Sequence, residues 1–374
     1  MEYLTLKDIA VINMGQSPDS KTYNEEKEGI PFYQGKSDFG KINPIPRVWC
    51  SNPIKIAEKD DILISVRAPI GDTNIATEKC CIGRGLASIR PLNENVNKKY
   101  LYYLLNSKYK ELNKFGTGST FKAITKENLC NLKCEEIPDI KEQIEVVKKL
   151  DNVSQIIEIK KKQLEELSII IKSQFVEMFE NEKYPKKTLN EITNKITDGS
   201  HNPPTGIAEN EGYMMLSSQN IINNSINYEN VRFLKKEDFE KENLRTNLNR
   251  GDVLLTIVGT VGRTAIITDE TNITLQRSVA VLKPTKEINS IYLVGAINSD
   301  DVIRQLNKGA KGVAQKGIYL NDIKKILIAV PPIELQNQFA EIVKQIDKQK
   351  FESVIKAEKE IEKIQNNIYY KWGR

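Results

Sequence analysis

The side chains best suited to chemistry sit in short polar stretches, and each stretch fails a requirement of the reaction it suggests. "HNPPT" at 201–205 has the Asn-Pro-Pro of a loop that grips a flipped base, but Thr205 offers no aromatic face for stacking. "GKS" at 35–37 would end a phosphate loop, yet the glycine required five residues before Gly35 is Ile30. "GTGSTFK" at 116–122 misses the same spacing. His201 is the only histidine, which excludes a two-His metal site and leaves any catalytic triad resting on one loop residue. Pro138-Asp139 followed by "EVVK" has the wrong spacing for a nuclease centre. The five cysteines (Cys50, Cys80, Cys81, Cys130 and Cys134) form no pair of zinc pairs and are expected to be reduced and partly buried. The expectation is a chain with no catalytic residue, no metal and no cofactor of its own.

What remains is recognition. Reading base edges needs hydrogen-bonding side chains, and holding phosphates needs Lys, Arg or polar tips. Six loops carry that chemistry. In the first half they are 16–24 (Gln16, Ser17, Lys21, Tyr23), 34–38 (Gln34, Lys36, Ser37) and 117–122 (Thr117, Ser119, Lys122). In the second half they are 198–205 (Ser200, His201, Asn202), 217–220 (Ser218, Gln219, Asn220) and 311–316 (Lys311, Gln315, Lys316). Arg67, Arg84, Arg263 and Arg277 fall at strand ends, where pairing with acids competes with phosphate contact. The net charge is only +5, so charge alone argues weakly for nucleic acid.

The elements that must hold these loops are written twice. "KDDILISVRAPIGDTNIA" (59–76) answers "RGDVLLTIVGTVGRTAII" (250–267), a buried strand, a glycine turn and another strand. Around it, in the same order, "TLKDIAVINMGQSP" answers "TLNEITNKITDGSHNPP", "CIGRGLASIRP" answers "TLQRSVAVLKP", "YLYYLLNS" answers "YLVGAINS", and "EIPDIKEQ" answers "AVPPIELQ". Each copy predicts a short opening helix (5–13; 188–196) and a polar loop. Three strands follow (62–67, 73–76, 86–90; 253–258, 264–268, 278–283), then a helix (98–112; 290–306). Strands and helices that do not strictly alternate indicate an α+β class.

Each copy ends in a long amphipathic helix. Between Glu142 and Glu180 there is no glycine or proline, and Leu150, Ile157, Leu164, Ile171 and Met178 fall seven apart, with Val153 and Leu167 three further on. The second stripe is Val354, Ile361 and Ile368, with Ala357 and Ile364 beside them. A 39-residue helix spans roughly 58 Å, too long to be covered by its own domain. Burying both stripes on each other requires an antiparallel pair, with one domain at each end. Such an arrangement suits duplex DNA carrying two unlike half-sites. With 39% hydrophobic residues, no apolar run of membrane length and no signal-like start, the chain is expected in the cytoplasm, with no membrane partner.

The "GQSP" loop, the strand-turns "DILISVRAPIG" and "GDVLLTIVGTVG", and the P-x-I-x-x-Q helix starts at Pro138 and Pro331 resemble, over essentially the whole chain, the specificity subunit of Type I restriction–modification systems. The resemblance implies target-recognition domain 1 at 1–141, spacer helix 1 at 142–182, domain 2 at 183–333 and spacer helix 2 at 334–374. The two mixed domains would be separated by an antiparallel coiled coil, as an internal pseudo-twofold repeat. It implies double-stranded DNA, two methyltransferase subunits and restriction subunits as partners, with S-adenosylmethionine on the methyltransferase. A Type IIB-like specificity subunit and a two-headed protein tether remain alternative readings at this stage.

Overall fold

The computed structural model describes residues 4–115, 123–134, 137–208, 212–268, 272–310 and 316–372, with side chains described up to residue 364 of the last helix. The chain divides into two compact units, residues 1–157 with 360–374, and residues 158–359.

The first unit opens with a capping box. The Thr5 N–H donates to the Asp8 carboxylate at 2.8 Å and starts a helix of one turn, Leu6–Ile9. The helix expected over 5–13 ends there. Ala10–Met14 alternates buried and exposed, with Val11 at 51% exposure between Ala10 and Ile12 at 4% and 7%, and the β-branched pair Val11-Ile12 extends into a strand. That strand pairs with Leu86–Pro91, which pairs with Ile62–Ser65, which pairs with Thr73–Ile75, all antiparallel. A second, mixed sheet runs Tyr23–Asn24, Val48–Cys50, Ile30–Tyr33, Cys80–Ile82 and Ile56–Ala57. Ile30–Tyr33 and Cys80–Ile82 pair in parallel, and much of this sheet lies in the stretch expected as loop. Helices Lys98–Ser107 and Tyr109–Phe115 contribute Leu101, Leu105 and Leu112 to a core built on Leu6, Ile62, Ile64 and Ile89.

The second unit repeats this plan. The capping box is Thr188 with Glu191, the opening helix is Leu189–Ile192, and the strand after it is Thr193–Asp198, where helix was again expected. The main sheet runs Thr193–Asp198, Val279–Pro284, Val253–Thr256, Thr264–Ile266, the same order and sense as in the first unit. A mixed sheet again contains one parallel pair, Met214–Leu216 with Ile273–Leu275. Ion pairs on a buried aspartate recur just before Ile62–Ser65 and Val253–Thr256: Arg90, itself half exposed, grips Asp61 at 2.6 and 2.8 Å, and Lys283 pairs with Asp252.

The long helices are Ile140–Phe175, closed by a wide turn at Val176–Glu180, and Ile333–Trp372. Each is pinned to its own unit by a fully buried glutamine. Gln143 accepts from the Asn97 N–H at 2.7 Å and donates to the Asn95 and Pro138 carbonyls at 2.7 and 2.8 Å. Gln336 accepts from the Asn289 N–H at 2.9 Å and donates to the Glu287 and Pro331 carbonyls at 3.0 and 2.9 Å. Asn97 and Asn289 are themselves the N-caps of the preceding helices. Of the heptad positions, Ala357 is buried, while Leu150, Val153, Leu164, Leu167, Ile361 and Ile364 are half-buried. Ile157 and Val354 are exposed at 40% and 37%, and the Ile368 side chain lies outside the described set. Ile171 and Met178 pack on the second unit's core, beside Phe175 and Phe179, which the heptad pattern passes over.

Candidate nucleic-acid interface

In each unit, loops that are far apart in sequence meet at one end of the main sheet, held by backbone hydrogen bonds. In the first unit, the Gly15 and Gln16 N–H groups donate to the Leu86 and Ile82 carbonyls, and the Gly83 N–H donates to Tyr33. The Val66 N–H donates to Gly85, and the Ile124 N–H donates to Val66. Segments 15–17, 33–38, 66–67, 83–85 and 123–124 are thereby drawn together.

The second unit repeats each bond. Gly199 and Ser200 donate to Val279 and Leu275, Gln276 donates to Leu216, Ile257 donates to Ser278, and Ile318 donates to Ile257. Close approach makes glycine necessary at the first position of each loop. A Cβ on Gly15 would collide with the Gly83, Leu86 and Ile82 carbonyls, and one on Gly199 with that of Leu275. This is the physical content of "GQSP" and "DGSH".

The side chains on these loops differ in availability. Gln16, Lys21, Gln34 and Ser37 are exposed, and Lys36 is engaged by Asp72 at 2.8 Å. Ser17 accepts from the Arg84 N–H at 3.3 Å. Tyr23 stacks on Phe32 at 4.7 Å and donates to the Pro18 carbonyl, so it is packed into the mixed sheet. Burial, with Cys50 and Cys81 nearby, holds its hydroxyl above the ordinary phenol range.

In the second unit, His201, Asn202, Gln219 and Lys316 are exposed, and Ser218 is half-buried. The His201 ring lies 2.8 Å from the Asp198 carboxylate, which Arg245 also grips. Ser200 and Asn220 are buried. The Asn220 amide accepts from the Ser217 N–H at 2.9 Å and donates to the Asn227 and Glu229 carbonyls, so it shapes its loop from within. Thr117, Ser119, Lys122, Lys311 and Gln315 lie outside the described residues.

The arginines resolve by position. Arg67, Arg84 and Arg277 are exposed, and among the described residues none has a carboxylate within ion-pair distance. Arg263 reaches the Ile221 carbonyl at 3.4 Å. Arg84 and Arg277 hold the same place in the two junctions, each on the turn between the last strand of the mixed sheet and the next strand of the main sheet. Their alignment in "IGRG" and "LQRS" was the signal. The missed residues are Gln276 and Ser278, which stand where the first unit has Gly83 and Gly85. Read alone, "LQRS" gives no reason to separate them from strand.

No described helix is long and apolar enough to cross a membrane. The family model for the Type I restriction modification DNA specificity domain matches residues 1–168 and again 181–363. The putative MjaX specificity subunit of Methanocaldococcus jannaschii is 46% identical over 156 residues, covering 42% of this chain and 36% of the relative. The chain thus spans about a third of that relative's length. The EcoBI specificity subunit of Escherichia coli is 22% identical, over 92% of this chain and 78% of its own. The solved specificity subunit from M. genitalium matches 97% of this chain and 92% of its own, at 16% identity and a TM-score of 0.51, a likeness of fold alone. A loop junction built twice on one backbone plan, and a family model matched twice at the same two places, agree: the chain belongs to the Type I restriction–modification DNA specificity family.

Proposed function

We propose that this chain is the non-catalytic DNA-recognition subunit of a Type I restriction–modification complex, reading an asymmetric two-part target. The observation that carries the reading is the duplicated junction. One set of backbone bonds presents two different sets of side chains, as two unlike half-sites require. The exposed residues Gln16, Lys21, Gln34, Ser37, His201, Asn202, Gln219 and Lys316 face bases or phosphates. So do Ser17, Lys36 and Ser218, and Thr117, Ser119, Lys122, Lys311 and Gln315 share the role. Tyr23, Ser200 and Asn220 hold the loops in shape. Arg84 and Arg277 supply one phosphate contact in each half.

The long helices act as spacer. Leu150, Val153, Ile157, Leu164 and Leu167 form one seam with Val354, Ala357, Ile361, Ile364 and Ile368 in an antiparallel coiled coil, the target-recognition domains lying at its two ends, while Ile171 and Met178 anchor the end of the first helix on the second unit's core. Two methyltransferase subunits dock on this frame and bring S-adenosylmethionine, restriction subunits complete the complex, and all act in the cytoplasm.

The test is a genome-wide map of methylated adenine in cells with and without the gene, alongside an intact partner methyltransferase. Loss of a single asymmetric two-part motif is expected, and an unchanged map would refute the reading. The spacer is tested separately by inserting seven residues after Leu150. At 1.5 Å per residue this adds roughly 10 Å, so the gap between half-sites should lengthen while their bases stay the same. A fixed gap with altered bases would remove the spacer role.

A further inference from the structure

The second unit has a feature that the first replaces with glycine. A cavity of about 380 Å³ opens at its junction, lined by Ser218, Gln219, Asn230, Arg232, Gln276 and Ser278 among others. Its floor is fixed: the Ser218 N–H donates to the Ser278 hydroxyl at 3.0 Å, and the Gln276 N–H donates to Leu216. Its walls carry unspent hydrogen-bonding capacity. The Gln276 carbonyl oxygen accepts only a long bond from the Ser278 hydroxyl at 3.4 Å, and its amide nitrogen has no partner among the described residues. The amides of Gln219 and Asn230 likewise have none there. Arg232 spends one nitrogen on the Pro204 carbonyl at 3.0 Å and is otherwise exposed.

We propose that this cavity is a base-edge pocket in which the Gln276 amide reads adenine in the major groove of DNA, with Gln219 at its rim. Adenine presents an N6 donor beside the N7 acceptor, and a glutamine amide matches both at once. The pocket rests on the DNA-recognition reading above and narrows it to one residue and one base. It belongs to one half-site only. At the equivalent places in the first unit, a Cβ on Gly83 would lie 3.1 Å from the Gln34 Cα and the Phe32 ring, and one on Gly85 would meet the Gln34 carbonyl.

The experiment is the methylation map of cells expressing the partner methyltransferase with the unaltered chain, Gln276→Ala, Gln276→Glu or Gln219→Ala. Gln276→Ala should relax one A·T position in one half-site by about tenfold or more, leaving the other half and the gap unchanged. Gln276→Glu should move preference at that position toward cytosine, whose N4 amino group donates to a carboxylate. Gln219→Ala should act at the same or the adjacent position. Co-purification of each variant with the methyltransferase checks folding, and the gain of cytosine in the Glu variant is a readout that no folding defect produces. An unchanged motif in Gln276→Ala, or equal weakening of both halves, overturns the pocket while the wild-type motif leaves the recognition role standing. Absence of any two-part motif with the unaltered chain overturns both.

Discussion

The two units share a backbone plan and differ in what it presents. At the loop junction, Gly15, Gln16, Gly83, Val66 and Ile124 donate in the first unit where Gly199, Ser200, Gln276, Ile257 and Ile318 donate in the second. Bonds of this kind use no side chain, so they survive almost any change of sequence at the same places. The side chains diverge at equivalent places, as where the first unit has Gly83 and Gly85 and the second has Gln276 and Ser278. Positions at the opposite end of the same strands keep their chemistry in altered form, as with Asp61–Arg90 against Asp252–Lys283. A scaffold that places its constraints in main-chain bonds and a few buried polar groups is free to vary its target.

The largest effects should come from the group that is identical in both units. Replacing Gln143 or Gln336 with Leu removes the partner of one N–H and two carbonyls, and each group so orphaned away from water costs about 1–3 kcal/mol. Each variant should lose about 3 kcal/mol or more, a fall in thermal unfolding midpoint of roughly 6–12 °C, measured by calorimetry of the full chain. The two losses should match. A large loss at Gln143 with little at Gln336 would break the equivalence of the two helix starts. Next come Gly15→Ala and Gly199→Ala, which push a methyl into carbonyl oxygens at a cost of about 1–3 kcal/mol. On the proposed two-part reading, either should abolish methylation of the whole motif, because both halves are needed.

These two levels differ in how legible they were. The repeat, both strand-turns and both long helices could be read from periodicity, since burial of one face imposes it. "P-x-I-x-x-Q" marked the pinning glutamines without saying what they bind, because their partners lie 46 and 47 residues away. The helices that the sequence predicts over 5–13 and 188–196 overlap strands Ala10–Met14 and Thr193–Asp198. A capping box gives a true helix start in each, but only tertiary pairing, with Leu86–Pro91 and Val279–Pro284, decides that the helix stops after one turn. In the loops, composition singled out polar residues but could not separate exposed Gln219 from buried Asn220 beside it. That distinction depends on which way a single turn faces.

Smaller effects should follow at the arginine tips. Arg84→Ala and Arg277→Ala each remove one proposed phosphate contact, so the slope of log affinity against log salt should fall by about 0.9 in each and by about twice that in the double variant. Filter-binding or anisotropy titrations of the complex on duplexes carrying the motif would measure it. Base preference should be untouched in both. A change of preferred base in one variant alone would mean that the equivalent tips have parted roles, one reading and one holding.

The smallest effect concerns the residues confined to one unit. Cys81 occupies the same place in the parallel strand pair, opposite Phe32, that Thr274 occupies opposite Met215. Cys80 and Cys81 are both fully buried, and burial pushes their thiols up to about 12 and about 11. A raised thiol pKa leaves the protonated form dominant up to that pH. At pH 8 the thiolate is on the order of one part in a thousand or less, and the thiolate is the reactive species. Native chain treated with iodoacetamide at pH 8 should therefore leave both residues unmodified over the time in which urea-unfolded chain is fully labelled, as peptide mass mapping would report. Rapid native labelling would mean that the first unit's mixed sheet opens readily.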